Sequence, residues 1–220
     1  TVAGVDTDRA LYFPGDSRRV ELRGERFTRF CERKCAAGEL PPNVTVVRLF
    51  RSVNPGEVMV NTTQENGIDG LRAGDIVRAE LSLRDQIVTV TSFLRKYVPG
   101  YERAVVKDSA DTLGVRETRR IEGAYVLQDA DLQNGRRFED VVVHDVNFVI
   151  DIHNPAGGGQ AEGEAAPIQS YDIPYRCFLP RHVARLLTAG RCISGTHRAH
   201  ASYRVMNICI AMGDAVGTAA

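Results

Sequence analysis

The chain has 220 residues and a mass of 24.2 kDa, with 28 Lys+Arg against 28 Asp+Glu and a formal net charge of zero. That balance argues against a nucleic-acid surface built on bulk positive charge and against an acidic tail. Hydrophobic residues make up 43% and charged residues 25%, an ordinary globular mix, and no stretch approaches the ~20 apolar residues of a membrane span.

A chain of this length buries about 70% of its unfolded surface and needs no metal or disulfide staple to fold. Thr1 opens it without an initiator Met, and no charged-then-apolar secretory signal follows. At the other end Ala219-Ala220 falls inside a running helix with no Gly or Asn stop. Together the two ends predict a piece of a longer protein. The five cysteines, Cys31, Cys35, Cys177, Cys192 and Cys209, form no repeating pattern, which argues against a disulfide framework and favours a reducing cytoplasm. Cys31 and Cys35 would share one helix face as a two-thiol metal half-site, but no second close pair completes a zinc site. The plainer reading is two small buried hydrophobes.

Taken in chain order, residues 10–13, 44–50 and 57–60 are β-branched or aromatic runs bounded by Pro-Gly, Pro-Pro and Asn-Pro-Gly, and they predict strands. A short helix is expected over 25–37. Ile76, Ala79, Leu83, Ile87, Val90 and Leu94 recur three or four residues apart, predicting an amphipathic helix over about 75–97. Asp75 is its expected N-cap and Pro99-Gly100 its stop. Strands follow at 119–123, 141–144 and 148–152. Gly157-Gly158-Gly159 through Glu164 reads as a surface loop, not a phosphate cradle, because no Lys-Ser/Thr follows it.

The last thirty-five residues carry the most information. An apolar strand at 186–189 ends at Gly190-Arg191, a polar loop runs from Cys192 to Tyr203, and a helix opens at Arg204-Val205-Met206. That helix holds one charge and two glycines a turn apart, Gly213 and Gly217. Each costs ~1 kcal/mol against Ala, so close packing against another backbone is expected. The helix N-terminus suits an anion or an electron-rich carbonyl.

Residues 187–194, Thr196-His197-Arg198-Ala199-His200 and Arg204-Val205-Met206 resemble the C-terminal signature of the FAD-dependent oxidoreductase family, flavoproteins with a glutathione-reductase-type FAD domain. Further blocks fit in the same order: Gly114-Val115-Arg116-Glu117-Thr118-Arg119-Arg120, Asn134-Gly135-Arg136-Arg137-Phe138-Glu139-Asp140, Asp151-Ile152-His153-Asn154-Pro155 and Tyr171-Asp172-Ile173-Pro174-Tyr175-Arg176. The likeness is dense from about Asn61 onward and thin before it.

The resemblance implies FAD as cofactor, a small-molecule substrate, and an α+β or α/β fold. A mixed-sheet substrate domain with covering helices would span 1–185. Residues 186–220 would be the last strand and helix of a discontinuous, Rossmann-like FAD-binding domain. The G-x-G-x-x-G turn that binds the FAD pyrophosphate in such folds is not in this sequence, so an N-terminal FAD-binding segment is expected from elsewhere. Gly190, Arg191, Arg204, Val205 and Met206 would then lie against the cofactor, the helix dipole stabilising negative charge at the flavin pyrimidine. Arg191 stands where the wider superfamily often has an acidic residue on the ribityl chain, so that contact does not transfer; an Arg there suits a phosphate.

For catalysis the candidates are His197 and His200 as proton carriers, Arg204 as an electrostatic group beside flavin or a substrate carboxylate, and His153, which shares a strand face with Asp151. Loop-ordering hydrogen bonds are the alternative for the His197/His200 pair, and a polar strand end for His153. Neither His197 nor His200 has a zincin partner, so no metal site is expected. Tyr171, Tyr175 and Arg176 would line a substrate wall, or else pack in the core and pair on the surface. Arg116, Glu117, Arg119 and Arg120 read as a solvated charge run, with a structural ion pair for Arg116. Two other functions stay open: a β-rich carbohydrate-binding or protein-interaction module, and a metal-dependent hydrolase.

Overall fold

The computed structural model describes residues 1–13, 20–154 and 168–220. The Pro14-Gly15 turn and the glycine-rich run at 157–164 lie outside them. The described residues fall into two compact units, Thr1–Arg116 with residue 154, and Glu117–His153 with residues 168–220.

The first unit is a small antiparallel sheet with helices. Strand β1 (Val2–Ala3) precedes a hairpin of β2 (Glu21–Leu22) and β3 (Glu25–Arg26). Its two-residue turn, Arg23-Gly24, has positive φ at both positions (55° and 79°), the geometry that matches strand twist in tight hairpins. Helix α1 (Phe27–Ala36) follows at once and buries Phe27, Phe30 and Cys31, the i, i+3, i+4 stripe of a half-buried helix. Strands β4 (Arg48–Arg51) and β5 (Val58–Asn61) pair from Arg48↔Asn61 to Arg51↔Val58. With β6 (Val105–Val106) the sheet order is β4-β5-β1-β6.

Between β5 and β6 runs α2 (Ala73–Tyr97), whose buried residues include Ala79, Val90, Phe93 and Leu94. Every position of the expected apolar stripe is at least half-covered. Phe30, Phe93 and Tyr97 meet edge-on or tilted, with ring centroids 5.5–6.0 Å apart, and burying each such ring contributes ~2 kcal/mol. Gln86 is buried on the same helix because it exchanges bonds with the Gln64 backbone: it accepts from the amide at 3.1 Å and donates to the carbonyl at 3.0 Å. Two expectations shift. The N-cap of α2 is Arg72, and Asp75, inside the first turn, accepts the Asp69 amide at 3.0 Å instead. Residues 10–13 form no strand; Phe13 donates one backbone bond, to Leu49 O at 2.9 Å, too little for a ladder.

The second unit is built on α3 (Asp129–Gln133), on β7 (Val141–Val146) paired antiparallel with β8 (Tyr171–Pro174), and on α4 (His197–Tyr203) and α5 (Met206–Ala219). The β7–β8 ladder is irregular, and Asp145 in its bulge has φ 54°. The core gathers Leu127, Leu132, Val143, Tyr171, Ile173, Phe178, Ile193, Tyr203, Ile208 and Met212. The strands expected at 119–123, 148–152 and 186–189 form no ladder: Gly123 makes one isolated bridge to Pro180, and Thr188 donates one backbone bond, to Phe178 O at 3.0 Å. The fold is mixed α and β with small sheets and five helices among the described residues. No described helix is long and apolar enough to cross a membrane.

Candidate functional site

The segment 192–196 is pinned from both sides. Ile121 donates to Cys192 O (2.9 Å), Leu127 to Ser194 O (3.2 Å), Ser194 to Cys177 O (3.0 Å) and Thr196 to Leu127 O (2.9 Å). The Gly123 amide donates to Ser194 Oγ at 3.0 Å. Gly195 sits so close to Tyr203 that a Cβ there would lie 2.8 Å from the ring. Tyr203 itself is fully buried and donates to Ile193 O at 3.0 Å.

From this clamp Thr196 starts α4, accepting the Ala199 amide on its hydroxyl at 3.1 Å and donating to Asp129. The polar loop expected over Cys192–Tyr203 is therefore half helix. A Thr N-cap followed by seven residues free of Gly and Pro is the signal that marks it. Because α4 is helical, His197, His200 and Arg204 (the C-cap) fall at i, i+3 and i+7 on one side.

Two clusters form there. In the first, His197 Nδ1 lies 2.9 and 2.8 Å from the two Glu117 carboxylate oxygens, and His200 Nδ1 lies 3.6 Å from one of them. Arg120 completes the cluster with an ion pair to Glu117. The Glu117 and Arg120 side chains are about three-quarters covered, so this part of the charge run is not a solvated face. Burial pushes the Glu117 carboxyl up, but the His197 hydrogen bond, the nearby His200 ring and Arg120 outweigh it and hold the group below the ordinary value. His200 is 1% exposed, stacks edge-on with Tyr203 at 5.5 Å, and has no hydrogen-bond partner at Nε2 among the described residues. Desolvation, reinforced by Arg120, Arg204 and His197 and opposed by Glu117, drives it down to about 4. His200 is neutral at pH 7; His197, with its side chain 57% exposed, is the ring that meets solvent.

In the second cluster Arg204, 12% exposed, forms an ion pair with the Asp151 carboxylate and donates to its carbonyl at 3.0 Å. His153 Nε2 lies 3.7 Å from the other Asp151 oxygen. Arg204 is thus committed to a protein carboxylate, and His153 and Asp151 do meet, beyond hydrogen-bond range.

Gly190 opens a 3-10 turn, Gly190–Cys192, with φ 78°; a Cβ built there would meet only Cys209 Sγ, at 4.0 Å. This turn packs beside α5, whose N-cap Val205 makes no side-chain cap and whose first turn has no acidic residue. Met206 is 83% and Ile210 71% exposed. Arg191 is exposed on the turn. The model of the FAD dependent oxidoreductase family matches residues 2–220. The chain belongs to that family.

The match reaches well into the N-terminal sixty residues, where the sequence likeness is thin. No curated protein and no solved structure matches the chain. FAD is the cofactor of an FAD-dependent oxidoreductase, and the residues present fit one edge of it. The open positive-φ backbone at Gly190 admits close approach, and the uncapped amides of α5 are donors with a partial positive charge.

Other sequence candidates land elsewhere. Tyr171 is fully buried and donates to Ser202 Oγ at 2.9 Å, so it is core and not a substrate wall. Arg176 pairs with Asp140 through two contacts of 2.9 and 3.2 Å. Cys31 is fully buried and burial pushes its thiol up to about 12; Cys35 goes up to about 11 and donates to Val44 O at 2.9 Å. Neither is a metal-ready thiolate. His144, Asp145 and Asp172 cluster with metal-like spacing, a group that sequence spacing does not reveal. Arg137, however, already bridges both carboxylates, at 2.6 Å each, and its charge fills the place of a cation. Glu117 is the main site residue that sequence reasoning misses, 80 positions from its histidine.

Proposed function

We propose that this chain serves an FAD-dependent oxidoreductase in which a hydride passes between a small organic substrate and the flavin. The family match over residues 2–220 is the observation that carries the reading. It leaves the carbohydrate-binding or interaction module without support. In this reading residues 1–185 shape the substrate side and residues 186–220 belong to a discontinuous FAD-binding domain. That domain's dinucleotide-binding turn comes from outside these 220 residues.

FAD, when bound, supplies the two-electron acceptor for a hydride leaving a substrate C–H. The protein's residues then handle the proton and the charge. Gly190 lets the backbone approach the cofactor, Arg191 suits a phosphate, and the amides at Val205 and Met206 face electron-rich oxygen. Exposed His197 takes the substrate's O–H or N–H proton at Nε2, so that loss of hydride and proton together completes a two-electron oxidation. Buried His200 stays neutral beside it, and Arg204, fixed by Asp151, adds a positive field at the start of α5. His153 is the second proton carrier, coupled to the same Asp151.

Flavin fluorescence quenching on titrating FAD into the protein that includes the dinucleotide-binding segment tests the binding surface. Gly190→Val should weaken quenching by at least tenfold in affinity, because a branched side chain at positive φ strains the turn and fills the open approach. Equal affinity in the two proteins would remove Gly190 and its turn from the cofactor site.

A further inference from the structure

We propose that Glu117 is the positioning residue of His197: its carboxylate takes the proton of Nδ1 and thereby leaves Nε2 as a bare lone pair toward solvent. The inference deepens the proton-acceptor role given to His197 above and rests on that reading. It starts from the donor inventory. An ionised carboxylate accepts only, so a ring nitrogen 2.8–2.9 Å from both of its oxygens must carry hydrogen. A neutral imidazole has one N–H, and placing it on Nδ1 makes Nε2 the acceptor.

The geometry around Glu117 is built for that task. Arg120 pairs with the same carboxylate and keeps it charged. The Ile121 amide, bonded to Cys192 O at 2.9 Å, fastens residues 117–121 beside the segment that leads into α4. The charged or titratable groups acting on Glu117 besides His197 are Arg120 and His200, and Arg204 acts on His200. His200 does not compete for the carboxylate, since its Nδ1 stands at 3.6 Å, outside hydrogen-bond range. The two histidines of α4 therefore divide the work. One is exposed, oriented and able to exchange a proton; the other is buried, neutral and part of the packing. A plain surface ion pair between Glu117 and a protonated His197 would leave the neutral ring's tautomer unspecified, and this distinguishes the two readings.

The test is the 15N ring spectrum of the histidine-labelled full chain above neutral pH, with no flavin added. His197→Gln identifies the His197 signals among the five histidines. The wild type should show His197 mainly as the Nδ1–H form, against the Nε2–H preference of free histidine. Glu117→Gln, which keeps the shape but weakens the acceptor, should lower the ratio of Nδ1–H to Nε2–H by about fivefold. Glu117→Leu should return the ring to the Nε2–H form. A wild-type ring in the Nε2–H form overturns the proposal, and so does a ratio unchanged in Glu117→Gln. Failure of FAD binding by the protein that includes the dinucleotide-binding segment would count against the flavin reading and leave this measurement standing; an Nε2–H ring in a protein that binds FAD would count against Glu117 alone.

Discussion

Replacing His200 by Phe should abolish a specific part of the protein's acid sensitivity. The ring is 1% exposed, without a partner at Nε2, and held down to about 4, whereas an unfolded histidine titrates near ~6.5. The folded value is lowered, so the unfolded chain binds the extra proton, and stability is full above the unfolded value and lost as pH falls through it toward the folded one. The difference of about 2.5 units, at about 1.4 kcal/mol each, amounts to about 3 kcal/mol once pH is below 4, and to about 2 kcal/mol already at pH 5. Glu117, whose folded value lies below the ordinary carboxylate range, makes its own loss at lower pH and does not enter this window. Urea unfolding of wild type and His200→Phe at pH 7.5 and pH 5 gives the answer as a double difference. The wild type should lose about 2 kcal/mol more than the variant. Phe keeps the edge-on contact with Tyr203 and removes an unpaired polar atom, so at pH 7.5 it should be no less stable. Equal pH dependence in the two proteins would refute the buried neutral histidine.

The remaining predictions concern the framework around the site. Tyr203→Phe strands the Ile193 carbonyl, bonded at 3.0 Å in the wild type, and should cost about 1–3 kcal/mol in chemical denaturation; an unchanged midpoint would show that the carbonyl finds another donor. Asp151→Asn leaves the mostly buried Arg204 guanidinium without its counter-charge and should cost about 2–3 kcal/mol. Adding Arg204→Met should recover part of that loss, and a further loss in the double variant would place the stabilisation in Arg204 itself.

What the sequence makes legible is periodic and local. The 3.6-residue stripe from Ile76 to Leu94 predicts α2 to within two residues of its bounds, because only a half-buried helix requires that spacing. The runs at 44–50 and 57–60 overlap β4 and β5, each of which ends one residue beyond its run, for the corresponding reason. The segments 119–123 and 186–189 have strand-like residues, but a strand also requires a continuous neighbour, and these make only scattered bonds to distant loops. Strand β8 escapes notice because Pro174 ends it. Helix α4 hides in a polar, His-rich stretch whose only marker is the Thr196 cap. The family blocks place His197, His200 and Arg204 in one neighbourhood. What holds them, Glu117 and Asp151, comes from chain segments 80 and 53 positions away, a pairing that single-sequence spacing does not encode.

The five bonds that pin residues 192–196 also decide how the histidines respond to change elsewhere. Ile121, Gly123 and Leu127 donate into this segment, and Cys177 accepts from it. The coordinates of His197 are thus inherited from two stretches of chain that contribute no side chain to its contact with Glu117. A substitution that shifts the backbone at 121–127 is transmitted through these hydrogen bonds to the cap of α4, and from there to both rings together. Positions 121–127 therefore bear on the geometry of the His197–Glu117 contact through the backbone alone.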